Sequence, residues 1–362
     1  MADKLPDYDI AIMGLGPAGA TLARLLSQNF RVIALDKKRA DAGSGFKKPC
    51  GGLLSRDAQK ALARFDLTLP KDVLVDPQIF AVKTIDLRSR LVRHYQRFYI
   101  NLDRDKFDRW LTGMIPDRVK ILTDCRCTSV KRTGRGFLIR YDEAGMEGCL
   151  TAKYVVGADG ANSLLRRSLY PNSRIRHYIS IQQWFKETHS SPFYSCIFDP
   201  DTSDCCSWSI SKDNVFIFGG AFPPDDPRGR FEAQKSKLKR EFGFRFGEPI
   251  RTEACVVLRP SLTDRFCCGG GGAFLIGEAA GFISPSSLEG VSFAINSAHL
   301  LADVLNSGHR SPNLAYRSKT LPIRMKLRLK ALKLPFMYWP AVRKLIMESG
   351  LKAIKVTGSG EQ

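Results

Sequence analysis

Several things are missing from this sequence, and each absence removes a class of function. No run of 18 or more apolar residues occurs among its 362 residues, so no segment reads as a membrane-spanning helix. An apolar strand pattern begins at Tyr8 with neither a basic nor an apolar leader ahead of it, so export is not expected and a cytoplasmic location is. Histidine is scarce: His94, His177, His189, His299 and His309 are scattered, none at ligand spacing to another, and no metal centre is expected. The 10 cysteines include the adjacent pairs Cys205-Cys206 and Cys267-Cys268 and the C-x-C of Cys125 and Cys127, but no C-x-x-C. A disulfide framework is therefore not indicated, and in a reducing compartment most of these thiols are expected to pack as small apolar groups. Acids are few: 36 Asp and Glu against 56 Lys and Arg leave a formal net charge of +20. No internal repeat or low-complexity tract appears.

The most informative segment present is Tyr8-Asp9-Ile10-Ala11-Ile12-Met13-Gly14-Leu15-Gly16-Pro17-Ala18-Gly19, followed by an apolar run from Phe30 to Leu35 that ends on Asp36. It predicts a buried strand, a glycine turn opening a helix, and a second strand closing on a carboxylate, the layout of a dinucleotide-binding βαβ unit. Gly14 permits the tight turn, Gly16 lets the backbone approach a pyrophosphate, and Gly19 lets the helix pack closely on the strand. The free N–H groups of the first turn, Ala18 included, attract phosphate charge. Asp36, with Lys37 beside it, is placed to accept hydrogen bonds from a ribose diol.

Two later segments have the same texture. Leu150 to Val156 leads into Gly157-Ala158-Asp159-Gly160, and Ala273 to Ile276 opens on Gly277-Glu278-Ala279-Ala280-Gly281, followed by a helical pattern through Val291, Ala294, Ile295, Ala298, Leu301, Ala302 and Leu305. That helix start is expected to face an anionic group. Arg104, in Arg104-Asp105-Lys106-Phe107-Asp108-Arg109-Trp110-Leu111, opens a short helix where a cation can meet phosphate. Residues 76–100 and 172–262 instead alternate apolar and polar positions and are rich in aromatics, as antiparallel strands with one covered face are. The expected organisation is a discontinuous nucleotide-binding domain of residues 1–75, 101–171 and 263–306, a sheet-rich substrate domain of residues 76–100 and 172–262, and a basic amphipathic C-terminal segment, 307–362.

From Arg310 to Lys355 this last segment holds twelve Lys or Arg against Glu348 alone, interleaved with Leu321, Ile323, Met325, Leu327, Leu329, Leu332, Leu334, Phe336, Met337, Tyr338 and Trp339. Such a composition suits an anionic membrane surface, where each cation near the headgroups contributes about 1 kcal/mol. It equally suits a solvated basic helix packed on the domain; nucleic acid is not expected as a partner. Residues 323–329 alternate with period two, so no clean helical stripe is predicted there.

Taken together, the GxGxxG with its acid, the R-x-x-F-D-x-x-L of Arg104 to Leu111, the G-A-D-G turn and the Gly277 to Gly281 run resemble the FAD fingerprint of flavoproteins related to para-hydroxybenzoate hydroxylase. Within that group the chain is similar to the geranylgeranyl reductases, through Lys48-Pro49-Cys50-Gly51-Gly52 and Trp208-Ser209-Ile210-Ser211-Lys212. Through Ile181-Gln182-Gln183-Trp184-Phe185, Phe193 to Asp199 and Gly277 to Ile283 it resembles the CbrA-type bacterial flavoproteins. It departs from the reductases in Glu278, where they carry aspartate, and in Ile210-Ser211, where they carry Phe-Pro.

The resemblance implies an α/β fold: a Rossmann-like FAD-binding domain, an inserted antiparallel β-sheet substrate domain and a C-terminal helical basic segment. It implies FAD held by Gly14, Gly16, Ala18, Gly19, Asp36, Lys37, Arg104, Asp159, Gly277 and Glu278, with Cys50, Gly51 and Gly52 beside the isoalloxazine ring and Gly290 where the chain passes it. Cys50 follows Lys47 and Lys48, whose positive field favours a thiolate; it reads either as a proton donor or redox-sensitive group at the flavin, or as a small packed residue. Trp184, Tyr194 and Trp208 read either as the wall of an apolar substrate tunnel or as sheet core. The implied activity is reduction of carbon–carbon double bonds in a polyprenyl lipid at the inner membrane surface. Without a second GxGxxG, electrons would come from transiently bound NAD(P)H or from a carrier protein. An FAD monooxygenase acting on an aromatic or polyketide substrate, and a flavin-containing lipid-binding protein without turnover, are the alternatives. Halogenation is not expected, since no W-x-W-x-I-P run is present.

Overall fold

The computed structural model describes residues 5–39, 48–186 and 192–356. The run Tyr8–Met13 is buried without alternation from Ile10 onward because it lies in the middle of a parallel sheet covered on both faces. It pairs in parallel with Val32–Leu35 on one side and Met146–Gly157 on the other; Lys120–Leu122 extends the sheet beyond Val32–Leu35, and Ala273–Leu275 beyond Met146–Gly157. The connecting helix Pro17–Leu25 carries proline at its first position, where no N–H is needed, and packs beside helices Arg104–Gly113 and Val291–Asn306. Cys125–Thr133 and Gly136–Glu143 form a meander with Met146–Gly157 that hangs from the edge of this layer. Its hairpin turns through Ala144 and Gly145, both at positive φ, which matches the twist of the strands.

The second sheet runs in the order Arg251–Leu258, His177–Lys186, Val215–Phe222, Ser207–Lys212, Phe193–Phe198, Ile79–Asp86, Leu91–Asn101, Ala353–Ile354, with Leu53–Leu54 also paired to Leu91–Asn101. It is antiparallel except where Phe193–Phe198 meets Ile79–Asp86 in parallel. Alternation gives it two faces. On one, Ile181, Phe185, Ile197, Phe218 and Phe222 pack against Phe231 and Leu238 of the helix Pro227–Phe242. Lys235 of that helix lies 5.5–5.8 Å from the ring centres of Phe185, Phe231 and Phe246, so its charge is held by aromatic faces. The opposite face presents Gln182, Trp184, Trp208, Ile210 and Lys212 toward the layer of the first sheet.

The basic C-terminal segment is less separate than its composition predicts. Pro312–Lys319 packs into the nucleotide domain, with Tyr316 fully buried and its hydroxyl donating to the Leu275 carbonyl (3.0 Å). The period-two stretch forms the helix Leu321–Leu332, which buries Leu327 and Ala331 and leaves Leu321, Met325, Leu329 and Leu332 facing outward. A true helical stripe is present there, but it points away from the core. Helices Leu334–Tyr338 and Pro340–Glu348 then cross the second sheet, and the chain ends its described course as an edge strand of that sheet.

One buried ion pair fixes this crossing: Arg343 Nε donates to Asp86 Oδ2 at 2.6 Å, with side chains 6% and 1% exposed. Asp86 Oδ1 also accepts from the Arg88 and Ser89 amides, and Arg343 reaches the Met337 and Tyr338 carbonyls. Removing one partner leaves a buried charge uncompensated, which typically costs 3–5 kcal/mol. Arg343→Ala is therefore expected to lower stability in urea unfolding by roughly 3 kcal/mol or more; a loss below about 1 kcal/mol would show that the C-terminal helices are not anchored here.

Candidate functional site

The first glycine turn is built by close packing. Gly14 has φ +98°, and a Cβ there would stand 2.8 Å from the Ala158 carbonyl oxygen; a Cβ on Gly19 would collide with the Gly14 carbonyl oxygen. Strand, turn and helix can meet only with glycine at both positions. Above Gly16 the space is open, and the helix beginning at Pro17 has neither a side-chain cap nor an acid in its first turn. Its orphan N–H groups, those of Ala18 and Gly19 among them, face that space, an arrangement that attracts an anion.

Asp36 closes the second strand and is 7% exposed. Its carboxylate accepts from the Leu15 amide (2.6 Å) and the Lys38 amide (2.9 Å), which fixes it beside the turn. Lys37 lies near Asp36 and Asp159; burial lowers its pKa and the two carboxylates oppose that. Asp159 accepts from the Leu164 amide with Oδ2 (2.8 Å), while its buried Oδ1 has no donor. Burial raises its pKa, against hydrogen bonds that favour the anion. An acceptor in need of a hydroxyl, an open space over a glycine and an uncapped helix start are what a dinucleotide requires, and the residues present fit FAD.

Arg104 does not point freely at a phosphate. Its Nε donates to Asp108 Oδ1 (2.8 Å), and Lys38 Nζ binds the other oxygen of the same carboxylate (2.6 Å). Burial pushes the Asp108 carboxyl up, but Arg104 and Lys38 outweigh it and hold the group below its ordinary value.

The Gly277–Ala280 segment is a single 3₁₀ turn rather than the start of a helix; the helix begins later, at Val291. Its N-terminus, preceded by Gly290, is already capped: the Glu289 carboxylate accepts from the Ser292 amide and hydroxyl, both at 2.7 Å. The expected second anion-binding helix start is therefore closed by the chain's own acid. Glu278 has both oxygens engaged by protein: Oε1 accepts from the Leu258 amide (3.0 Å) and Oε2 pairs with Lys48. Arg166, a residue the sequence reading passed over, joins the two later turns through the Ala161 and Ala279 carbonyls.

Lys48 is thus committed to Glu278, and Lys47 lies outside the described residues. The cations near Cys50 are instead Arg104 and Lys212. Cys50 Sγ accepts from the Gly52 amide (3.4 Å), and Lys212 Nζ binds the Gly52 carbonyl (3.3 Å), Asn101 Oδ1 (2.5 Å) and the Leu102 carbonyl (2.6 Å). Burial brings the Lys212 pKa down to about 7. Gly51 is pressed by Ile210, whose Cδ1 would be 2.8 Å from a Cβ there. The Lys48 to Gly52 loop is therefore seated on the second sheet.

Between loop and sheet lies a cavity of about 150 Å³, lined by Lys48, Cys50, Arg104, Gln182, Trp184 and Lys212, among others. Of the three aromatics named from sequence, Trp184 lines it, its Nε1 on Glu253 (3.1 Å) and its ring under Arg251. Trp208 is buried between Gly51 and Gly219, and Tyr194 packs edge-on against Tyr99 at 5.7 Å; neither borders this cavity. Lys212 and Gln182 were within quoted motifs, but only the fold shows that alternation puts them on the cavity side.

A family model described as FAD binding domain matches residues 117–327. Protein CbrA of Escherichia coli O6:H1 is 51% identical over 347 residues, covering 96% of this chain and 94% of its own length. A geranylgeranyl bacteriochlorophyll reductase-like protein from Thermoplasma acidophilum has a similar structure, with TM-score 0.76 at 19% identity over 96% of this chain and 90% of that one. A probable FAD-dependent monooxygenase, PqsL from Pseudomonas aeruginosa, gives 0.69 at 19% identity over 94% and 99%.

Two outcomes follow from the geometry. Gly16→Val is expected to fold normally and lose FAD binding, because its side chain fills open space at the helix start. Gly19→Ala should instead cost about 1–3 kcal/mol of stability through overpacking, and thermal unfolding with an FAD titration on each variant separates the two. Asp108 has a depressed pKa in the folded chain, so its contribution is present above pH ~4 and is lost as pH falls through the folded value. Asp108→Asn should lower stability at neutral pH by roughly 3 kcal/mol and flatten the acid limb of a stability-versus-pH curve.

Proposed function

This chain belongs to the CbrA family of FAD-dependent oxidoreductases, and on that premise we propose that it reduces carbon–carbon double bonds of a polyprenyl lipid at a membrane surface. One observation carries the reading: a lipid-compatible surface is built directly onto the FAD-binding domain. Leu321, Met325, Leu329, Leu332, Phe336 and Trp339 are all exposed on the C-terminal helices, Met325 by 55% and both Phe336 and Trp339 by 63%. Arg324, Lys326, Arg328 and Lys333 are interleaved with them. Apolar side chains that enter the acyl boundary, with cations at headgroup level, are the elements of interfacial binding. The same helices are tied to the nucleotide domain by Lys326 with Asp57 (2.8 Å), and Tyr338 donates to the Ser286 carbonyl (2.6 Å). The overall likeness to the reductase-like protein supports the same reading. No helix among the described residues is long and apolar enough to cross a membrane.

FAD, when bound, supplies the two-electron chemistry. The chain's own part is to hold the alkene against it, keep water out and deliver a proton to the second carbon. Cys50 on the cavity wall is the proton donor in this reading, with Arg104 and Lys212 beside it. Electrons reach the enzyme from NAD(P)H bound transiently or from a carrier protein.

The ion-paired lining of the cavity, Arg251 with Glu253 and Arg104 with Asp108, favours a second reading: hydroxylation of a polar aromatic substrate. Anaerobically reduced holoenzyme mixed with a polyprenyl phosphate in anionic phospholipid vesicles tests between them. Flavin reoxidation with a product heavier by one hydrogen molecule is expected, and Cys50→Ala should slow it by about 10²-fold or more. Reduced flavin that persists without product rejects the reductase. NAD(P)H oxidation in air stimulated by an aromatic compound, with a hydroxylated product, would favour the hydroxylase instead.

A further inference from the structure

Gln182 is fully buried in the middle of the strand His177–Lys186 and lines the cavity beside Cys50 and Trp184. Its Oε1 accepts from Trp208 Nε1 at 3.2 Å, and its Nε2 has no partner. This orientation is not arbitrary. An indole N–H can only donate, so the amide oxygen must turn to Trp208 and the NH₂ group away from it. Trp208 is itself clamped, since a Cβ on Gly219 would stand 2.7 Å from its indole and Gly51 lies on its other side. The backbone of Gln182 is held on both edges by Gly219 and Glu253 in the sheet ladders. A rigid two-proton donor is thus left without a partner on a residue that lines the cavity, and a buried donor with no acceptor is costly to a folded protein. Most buried polar groups are paired in folded proteins, so an unpaired donor on a residue that lines a cavity is a candidate contact for whatever fills that cavity.

We propose that Gln182 is a flavin-orienting residue, its amide NH₂ donating to a carbonyl or ring-nitrogen acceptor of the isoalloxazine seated between Cys50 and Trp184. A flavin ring offers acceptors of this kind along one edge. The polyprenyl chain offers none, so the two occupants of this region are told apart by chemistry. Trp208 is then a positioning residue that aims the donor. The inference rests on the FAD reading and deepens it, adding a contact that none of the glycine turns provides.

The test uses the full-length protein with FAD. Gln182→Leu removes the donor at similar size, and Gln182→Glu keeps the acceptor for Trp208 while replacing the donor by a carboxylate. Gln182→Leu is expected to raise the FAD dissociation constant about 10-fold and to change the visible flavin spectrum. Gln182→Glu should weaken binding further at neutral pH and recover as pH falls, because a protonated carboxyl donates again; a residue with only a packing role would show no such recovery. Trp208→Phe should weaken binding in the same direction by a smaller factor. If either Gln182 variant fails to fold by circular dichroism, the other carries the test. Wild-type affinity and spectrum in a folded variant overturn the inference while leaving the FAD reading intact; a wild-type protein that takes up no FAD overturns both.

Discussion

One buried carboxylate, Glu278, holds the arrangement together. It joins three parts of the chain that are far apart in sequence: its own turn, the amide of Leu258 on the second sheet, and Lys48 at the head of the Cys50 loop, 230 residues away. Burial alone would disfavour both charges, but each is the other's counter-ion, and burial's effect on Lys48 is outweighed by Glu278. Arg166 closes the set by binding carbonyls of both later turns. The loop is then clamped from the opposite side by Lys212, so the cavity exists only while the nucleotide layer and the sheet layer share these contacts. The longer side chain at position 278 reaches protein partners with both oxygens, which makes it an anchor for the site's walls.

A division of labour follows. The glycine turn, Asp36 and Asp159 form a polar cradle within one domain, where every constraint is steric or dipolar. The cavity lies between the two sheet layers, where Cys50, Trp184, Gln182 and Lys212 come from separate segments. The C-terminal helices cover the same face of the second sheet and carry their apolar stripe outward. An outward apolar stripe with interleaved cations suits a substrate held in a membrane, while a polar aromatic would have no use for it. That asymmetry is the reason the reductase reading is preferred over hydroxylation.

How much of this the sequence shows depends on how local the cause is. The turn from Gly14 to Gly19 with Asp36 was legible because strand, turn, helix and acid lie within 30 residues and each obeys its own short-range rule. The sheet texture of residues 76–100 and 172–262 was legible from alternation. The helix Leu321–Leu332 was not, since its outward apolar residues and its inward Leu327 and Ala331 overlay two patterns that together mimic period two. The capping of helix Val291–Asn306 by Glu289 was available in the sequence, as an acid just before a helix start, but a glycine-rich approach suggested an open end. The commitment of Lys48 to Glu278, and the orientation that Trp208 imposes on Gln182, arise only from tertiary contacts and have no local signature.

The central claim is that separated pieces of this chain converge to hold one FAD. Titrating the purified protein with FAD while following flavin fluorescence and the visible spectrum of the protein-bound fraction tests it most directly. Saturation at one FAD per chain, with a spectrum distinct from free flavin, is the predicted result. Folded protein that remains colourless at saturating FAD would contradict the account at its root.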